Sequence, residues 1–185
     1  MRFKELLIES ALKIPALAEF QQDFDIETAL EYLEEEMESI DSISIGLGNS
    51  ENPDPVREAA LQKDYNAHAA IETVLNNYTR SEGAPGTQVF LWSLSSSGDI
   101  PLAALMAKLN KPAIEVSWVG SIQPGEGKRL IDALGAWGKT SGYEKIHLNA
   151  KWGSSGYYEK NGFTKQADLE SGVFGGAEAS FYKSL

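Results

Sequence analysis

The first 80 residues repeat their apolar side chains every three or four positions; most of the remainder repeats them every second position. Ile26, Leu30, Leu33, Met37 and Ile40 form one helical face, and Asp25 stands where an N-cap belongs. The opposite face carries Glu27, Glu31, Glu34, Glu35 and Glu38. Leu61, Tyr65, Ala69, Val74 and Tyr78 predict a second helix over 56–80. Phe3, Leu6 and Leu7 predict a short helix over 3–13, ended by Pro15. Between these, Ser42–Leu47 alternates and predicts a strand, and residues 48–55 (GNSENPDP) predict a loop.

After the breaker SEGAPG at 81–86 the period changes to two. Strands are predicted at 87–95, 100–110 and 113–122, with the turn SSGD pairing the first two as an antiparallel hairpin. The third is apolar on both faces, as a central strand should be. Leu130, Ile131, Leu134 and Trp137 then line a helix, and Ile146, Leu148 and Ala150 alternate along a strand at 145–150. A short helix over 154–163 and strands near 164–170 and 177–183 complete the chain. The expectation is one mixed α/β (α+β) domain over 1–185, with 1–40 as an acidic helical extension on or beside it.

Composition narrows the chemistry. The first 56 residues hold 14 Asp and Glu against three Lys and Arg, which accounts for the whole net charge of −11; the rest is balanced. Nucleic-acid binding is not expected of such a surface, because phosphate affinity needs clustered cations. No apolar stretch approaches the roughly 20 residues that span a bilayer, and the start has no secretory pattern. The absence of Cys removes a thiolate nucleophile, and two distant histidines, His68 and His147, give no reason to expect a metal. A cytoplasmic protein, monomeric or homodimeric, is expected.

The stretch SIQPGEGKRLIDAL, residues 121–134, places glycines and two cations at the start of a helix. Cations are mildly unfavourable there, because the helix dipole presents its positive end. They become favourable if the freed backbone amides hold a phosphate. Gly125 and Gly127 keep that approach open. An ordinary turn with two solvated cations is the alternative, and the spacing fits neither the dinucleotide fingerprint nor a P-loop.

The order strand, Gly turn, helix, strand, followed by YYEKNGF, resembles the GNAT superfamily of acyl-CoA N-acyltransferases over about residues 87–183. The family's turn is Gln/Arg-x-x-Gly-x-Gly/Ala. Here IQPGEG supplies Gly125 and Gly127 in register, with Ile122 where Gln or Arg is expected. The family's Phe-Tyr-x-x-x-Gly-Phe is matched by Tyr157, Tyr158, Gly162 and Phe163, and an Asn often found seven residues before the Tyr is Lys151 here. The resemblance implies a mixed sheet whose two central parallel strands, 113–120 and 145–150, splay around an acyl-CoA. It implies acetyl-CoA as co-substrate, an amine as acceptor, and direct transfer in a ternary complex. Pantetheine would run beside Trp118 and Val119. Gln123, Pro124, Gly125, Glu126, Gly127, Lys128 and Arg129 would surround the diphosphate, with Ser154 nearby.

Under that resemblance Tyr158 is the general acid for the CoA sulfur, or else packs against the sheet. Glu115 is the candidate base, on the face of Ser117 and Val119 by strict alternation; a paired carboxylate is the alternative. A backbone amide near Val119 would stabilise the oxyanion. The start MRFKELLIESA resembles capsid-targeting segments of proteins packaged by T4-like phages, with Leu7-Ile8-Glu9 as the cut triplet; that implies a phage protein, in a virion or host cytoplasm. A second reading is an acidic interaction or inhibitor protein on the same scaffold.

Overall fold

In the computed structural model of the chain, residues 12–48, 54–81, 87–151, 153–169 and 177–185 are described. The segment that resembles a capsid-targeting start and most of the helix expected over 3–13 lie outside them. Leu12 and Lys13 are not helical. Leu12 N donates to Gln88 O at 3.2 Å, beside the first strand. The segment ends in a 3₁₀ turn, Pro15–Phe20, which buries Leu17 and Phe20. Gln21 holds it down: its Oε1 accepts from Ile14 N at 2.7 Å, and its Nε2 donates to Leu12 O at 2.9 Å and Phe90 O at 3.3 Å.

Helix α1 spans Ile26–Gly48. Asp25 Oδ1 accepts from Thr28 N at 3.3 Å, the N-cap that the sequence suggests. The strand expected at Ser42–Leu47 is instead the last part of this helix. Ile43 and Ile45 are exposed there, and among the described residues no strand pairs with this segment. Local β propensity without a partner strand yields to the helix already running. Helix α2, Pro55–Arg80, starts on Asp54, whose side chain accepts from Val56 N and Arg57 N.

Among the described residues six strands follow: β1 Gln88–Leu94, β2 Pro101–Asn110, β3 Ala113–Ser121, β4 Lys145–Lys151, β5 Thr164–Asp168 and β6 Ala177–Ser184. Helix α3, Glu126–Thr140, joins β3 to β4, and α4, Ser155–Lys160, follows β4. The sheet order is β1-β2-β3-β4-β6-β5, antiparallel except for β3 and β4. A parallel pair needs a crossover, and α3 supplies it.

Alternation along the strands sorts two cores. Val89, Leu91, Ile114, Ile146, Leu148 and Phe181 face α3, α4 and the 3₁₀ turn. Phe90, Trp92, Ala104 and Met106 face α1 and α2, against Leu33, Ile71 and Val74. Gly120 sets how closely α2 lies on β3: a Cβ there would stand 2.8 Å from both Ala67 O and Ala70 Cβ. The acidic face of α1, from Glu27 to Glu38, points to solvent. No helix among the described residues is long and apolar enough to cross a membrane.

Candidate functional site

Strands β3 and β4 are paired only from Ala113–Val116 to Lys145–Leu148. Beyond that they part, and the cause lies in β3. Opposite β2, Trp118 pairs with Met106 but Val116 pairs with Ala107, so Ser117 is an extra residue, a β-bulge. A bulge bends its strand and increases the local twist, which turns the second half of β3 away from β4. The gap opens into a cleft of about 900 Å³.

The cleft is built from five elements, β4 among them with Leu148, Asn149 and Lys151. The end of β3 contributes Trp118 and Val119, the Gly turn contributes Gln123, Pro124, Gly125 and Gly127, and α4 contributes Ser154, Tyr157 and Tyr158. Helix α2 forms the remaining wall with Lys63, Asp64, Asn66 and Ala67. Sequence reasoning found the helix over 56–80 but did not assign it to the cleft. The available signal was Gly120: a lone Gly inside an apolar strand marks a bulge or a close backbone approach.

The turn that opens α3 is held from behind. Ser121 Oγ donates to Gln123 O at 2.6 Å and accepts from Gly127 N at 3.3 Å. Gly125 has φ +95°, and a Cβ at that position would meet open space. The amides of Gly125 and Lys128 have no acceptor among the described residues. They are the two free donors at this helix start, and they fit an anion.

Three side chains expected at the phosphate are turned elsewhere. Arg129 Nη2 donates to Glu19 at 3.0 Å, its Nη1 to Glu126 at 3.4 Å, and its guanidinium lies 5.0 Å from the Phe20 ring centre. It ties α3 to the 3₁₀ turn. Glu126 also accepts from Ser93, which draws it off the cleft. Lys128 is engaged by Asp132 one turn on, which raises its pKa. None of the three side chains lines the cleft. The cations are therefore explained by local acids, and what this turn offers a ligand is backbone amides.

Glu115 is likewise outside the cleft, at the end where the strands remain paired. It is exposed, and its Oε2 accepts from Asn110 at 3.2 Å. The bulge breaks the alternation that would have aligned it with Val119. Val119 pairs with Leu105 on the α3 side, whereas Glu115 shares the other face with Lys108.

Tyr158 is 7% exposed and packs edge-on to Tyr157 and Phe163. Burial, with Tyr157 beside it, raises its pKa to about 12, partly offset by a hydrogen bond with Ser154. The phenol is therefore neutral at physiological pH. Gly162, at φ +81°, ends α4 and allows Phe163 to close over Tyr158. His68 is buried in α2 with Nδ1 3.0 Å from Asp64 O, and it does not line the cleft.

No protein-family model matches the chain, and no curated protein matches it. Solved structures do. The PaiA N-acetyltransferase of Thermoplasma acidophilum, in complex with coenzyme A, is 21% identical with a TM-score of 0.50, over 87% of this chain and 93% of that one. Tetrahymena GCN5 is 15% identical with a TM-score of 0.47, over 75% and 92%. An acetyltransferase of Bacillus subtilis in complex with CoA is 18% identical with a TM-score of 0.44, over 61% and 83%. At these identities the likeness is one of fold.

Proposed function

Because the chain has the GNAT fold, we propose that it is an acyl-CoA-dependent N-acyltransferase that moves an acyl group, acetyl in the simplest case, to an amine. The observation that carries this reading is the parting of β3 and β4 after Val116 and Leu148, around a cleft that has free amides at one end and a buried phenol in its wall. CoA is the co-substrate, and its thioester supplies an activated carbonyl.

The residues divide the work. The amides of Gly125 and Lys128 take the diphosphate. The part of β3 beyond its pairing with β4, near Trp118 and Val119, runs beside the pantetheine, and an amide near Val119 stabilises the carbonyl oxygen as it gains charge. The amine attacks the carbonyl carbon, the C–N bond forms, the C–S bond breaks, and one proton must pass from nitrogen to sulfur. A phenol at about 12 is a weaker acid than a thiol at about 8.5. Outright donation from Tyr158 would therefore be uphill by roughly 5 kcal/mol. Tyr158 instead hydrogen-bonds to the leaving sulfur and hands over its proton as the nitrogen's proton replaces it. With no Cys in the chain, transfer is direct.

Thermal unfolding in the presence of CoA and acetyl-CoA tests the reading. At a hundredfold excess over the dissociation constant, either ligand should stabilise the fold by about 2.7 kcal/mol. An unchanged transition at millimolar ligand rejects it and favours an acidic interaction protein, for which the exposed carboxylates of α1 would be the contact surface.

A further inference from the structure

We propose that Tyr157 binds the diphosphate of CoA, donating its hydroxyl hydrogen to a phosphate oxygen from the α4 side of the cleft. This rests on the acyl-CoA reading above and deepens it, by giving the phosphates a side-chain donor.

The turn that opens α3 is short of such donors. The Ser121 hydroxyl is engaged by Gln123 O and Gly127 N. Ile122 packs against the core on the α2 side. Lys128 and Arg129 are paired with acids. Gln123 lines the cleft, but its side chain is exposed and makes no hydrogen bond among the described residues.

Tyr157 stands opposite this turn. Helix α3 follows β3 and α4 follows β4, and both pack on the same face of the sheet. Their first turns therefore flank the gap where the two strands part. Tyr157 lies in the first turn of α4 and lines the same cleft as Gly125 and Gly127. Its ring packs edge-on to Tyr158, with centres 5.3 Å apart, and this contact orients a side chain that is 43% exposed. Lys128 and Asp132, at the start of α3, are close enough to act on it. Burial raises the Tyr157 pKa, Lys128 lowers it and Asp132 raises it, and Lys128 feels the phenol in return.

The hydroxyl itself has no partner among the described residues. The phenol is neutral at physiological pH, so it carries a proton to donate. A hydrogen bond from a hydroxyl to a phosphate oxygen is charge-assisted. It also adds no cation that Asp132, Glu126 or Glu19 could capture, which is what happens to Lys128 and Arg129. Packing against Tyr158 would need only the ring.

Calorimetric titration with CoA and dephospho-CoA tests it, because both carry the diphosphate and only CoA carries the 3′-phosphate. Tyr157→Phe keeps the ring contact and removes the hydroxyl. It should weaken both ligands by about tenfold, and by the same factor. The thermal midpoint of the free protein should not move, because the hydroxyl has no protein partner to lose. Unchanged CoA affinity in Tyr157→Phe overturns the proposal. So does a loss confined to CoA, which would put the hydroxyl at the 3′-phosphate. A lowered midpoint in the free variant also overturns it, because the hydroxyl would then be a structural group. A wild-type protein that binds neither ligand removes the acyl-CoA reading, and this proposal with it.

Discussion

Tyr158 is a core residue, and the proposed proton relay would use the same surroundings. Replacing it with Phe retains the ring contacts with Tyr157, Phe163 and Phe181 and removes only the hydroxyl. Acetyl-CoA affinity should stay within about twofold, while turnover falls by about a hundredfold, the scale of a lost proton-transfer group. Steady-state kinetics beside calorimetry separates the two. The raised pKa also has a stability consequence. Below pH 10 the phenol is neutral in both the folded and unfolded chain, and its contribution is fully present. Between 10 and about 12 the unfolded chain ionises first, so stability is lost as pH rises, by about 2–3 kcal/mol from this group. Urea unfolding from pH 9 to 12 should show a smaller loss in Tyr158→Phe. Some loss will remain, because burial also raises Tyr32, Tyr78 and Tyr157. At the Gly turn, the proposal that amides hold the diphosphate contrasts two variants. Gly125→Ala places a side chain at φ +95°, a strain of roughly 1–2 kcal/mol, and should weaken CoA binding by about tenfold. Arg129→Ala should alter CoA binding less than twofold, because its guanidinium is spent on Glu19, Glu126 and Phe20.

Among the elements, α2 lies against β3 at a distance set by a single missing atom. A methyl group at Gly120 would collide with backbone atoms, Ala67 O at 2.8 Å and Ile71 N at 2.9 Å, and these cannot swing aside. Gly120→Ala should therefore lift α2 from β3, cost about 1–3 kcal/mol in urea unfolding, and widen the cleft wall. A substitution that merely filled space would leave stability unchanged. The same helix shows the limits of reading by period. Its apolar repeat marked it as a helix with a buried face, but nothing in that repeat says which strand it covers. The YYEKNGF stretch was legible to a greater depth. Gly162 and Phe163 specify a closed helix end with an aromatic lid, and that local geometry is what encloses Tyr158. Glu115 was misread because alternation was carried through Ser117, where the bulge interrupts it.

For the whole molecule, ligand binding should be felt by two strands and two turns at once, because the cleft is shared among them. Hydrogen exchange with acetyl-CoA should slow amides in 117–127 and 149–158, and leave α1 over 26–48 unaffected. Protection spread evenly over the chain, or confined to α1, would contradict the site described. The charge distribution fits this division of labour. The carboxylates of α1 from Glu27 to Glu38 face solvent, on the helix layer against β1 and β2, and none of them lines the cleft.

The sequence by itself determined the described elements other than the 3₁₀ turn and the last part of α1, together with the central position of β3, the glycine turn ahead of α3 and the aromatic motif around Tyr158. Each of these is encoded by near neighbours, through periodicity or turn chemistry. The tertiary structure alone decided where the strands part, that α2 walls the gap, and that Arg129 and Glu126 serve the 3₁₀ turn and β1. Those outcomes depend on a one-residue bulge in register and on contacts between residues far apart in the chain, and no local pattern carries either.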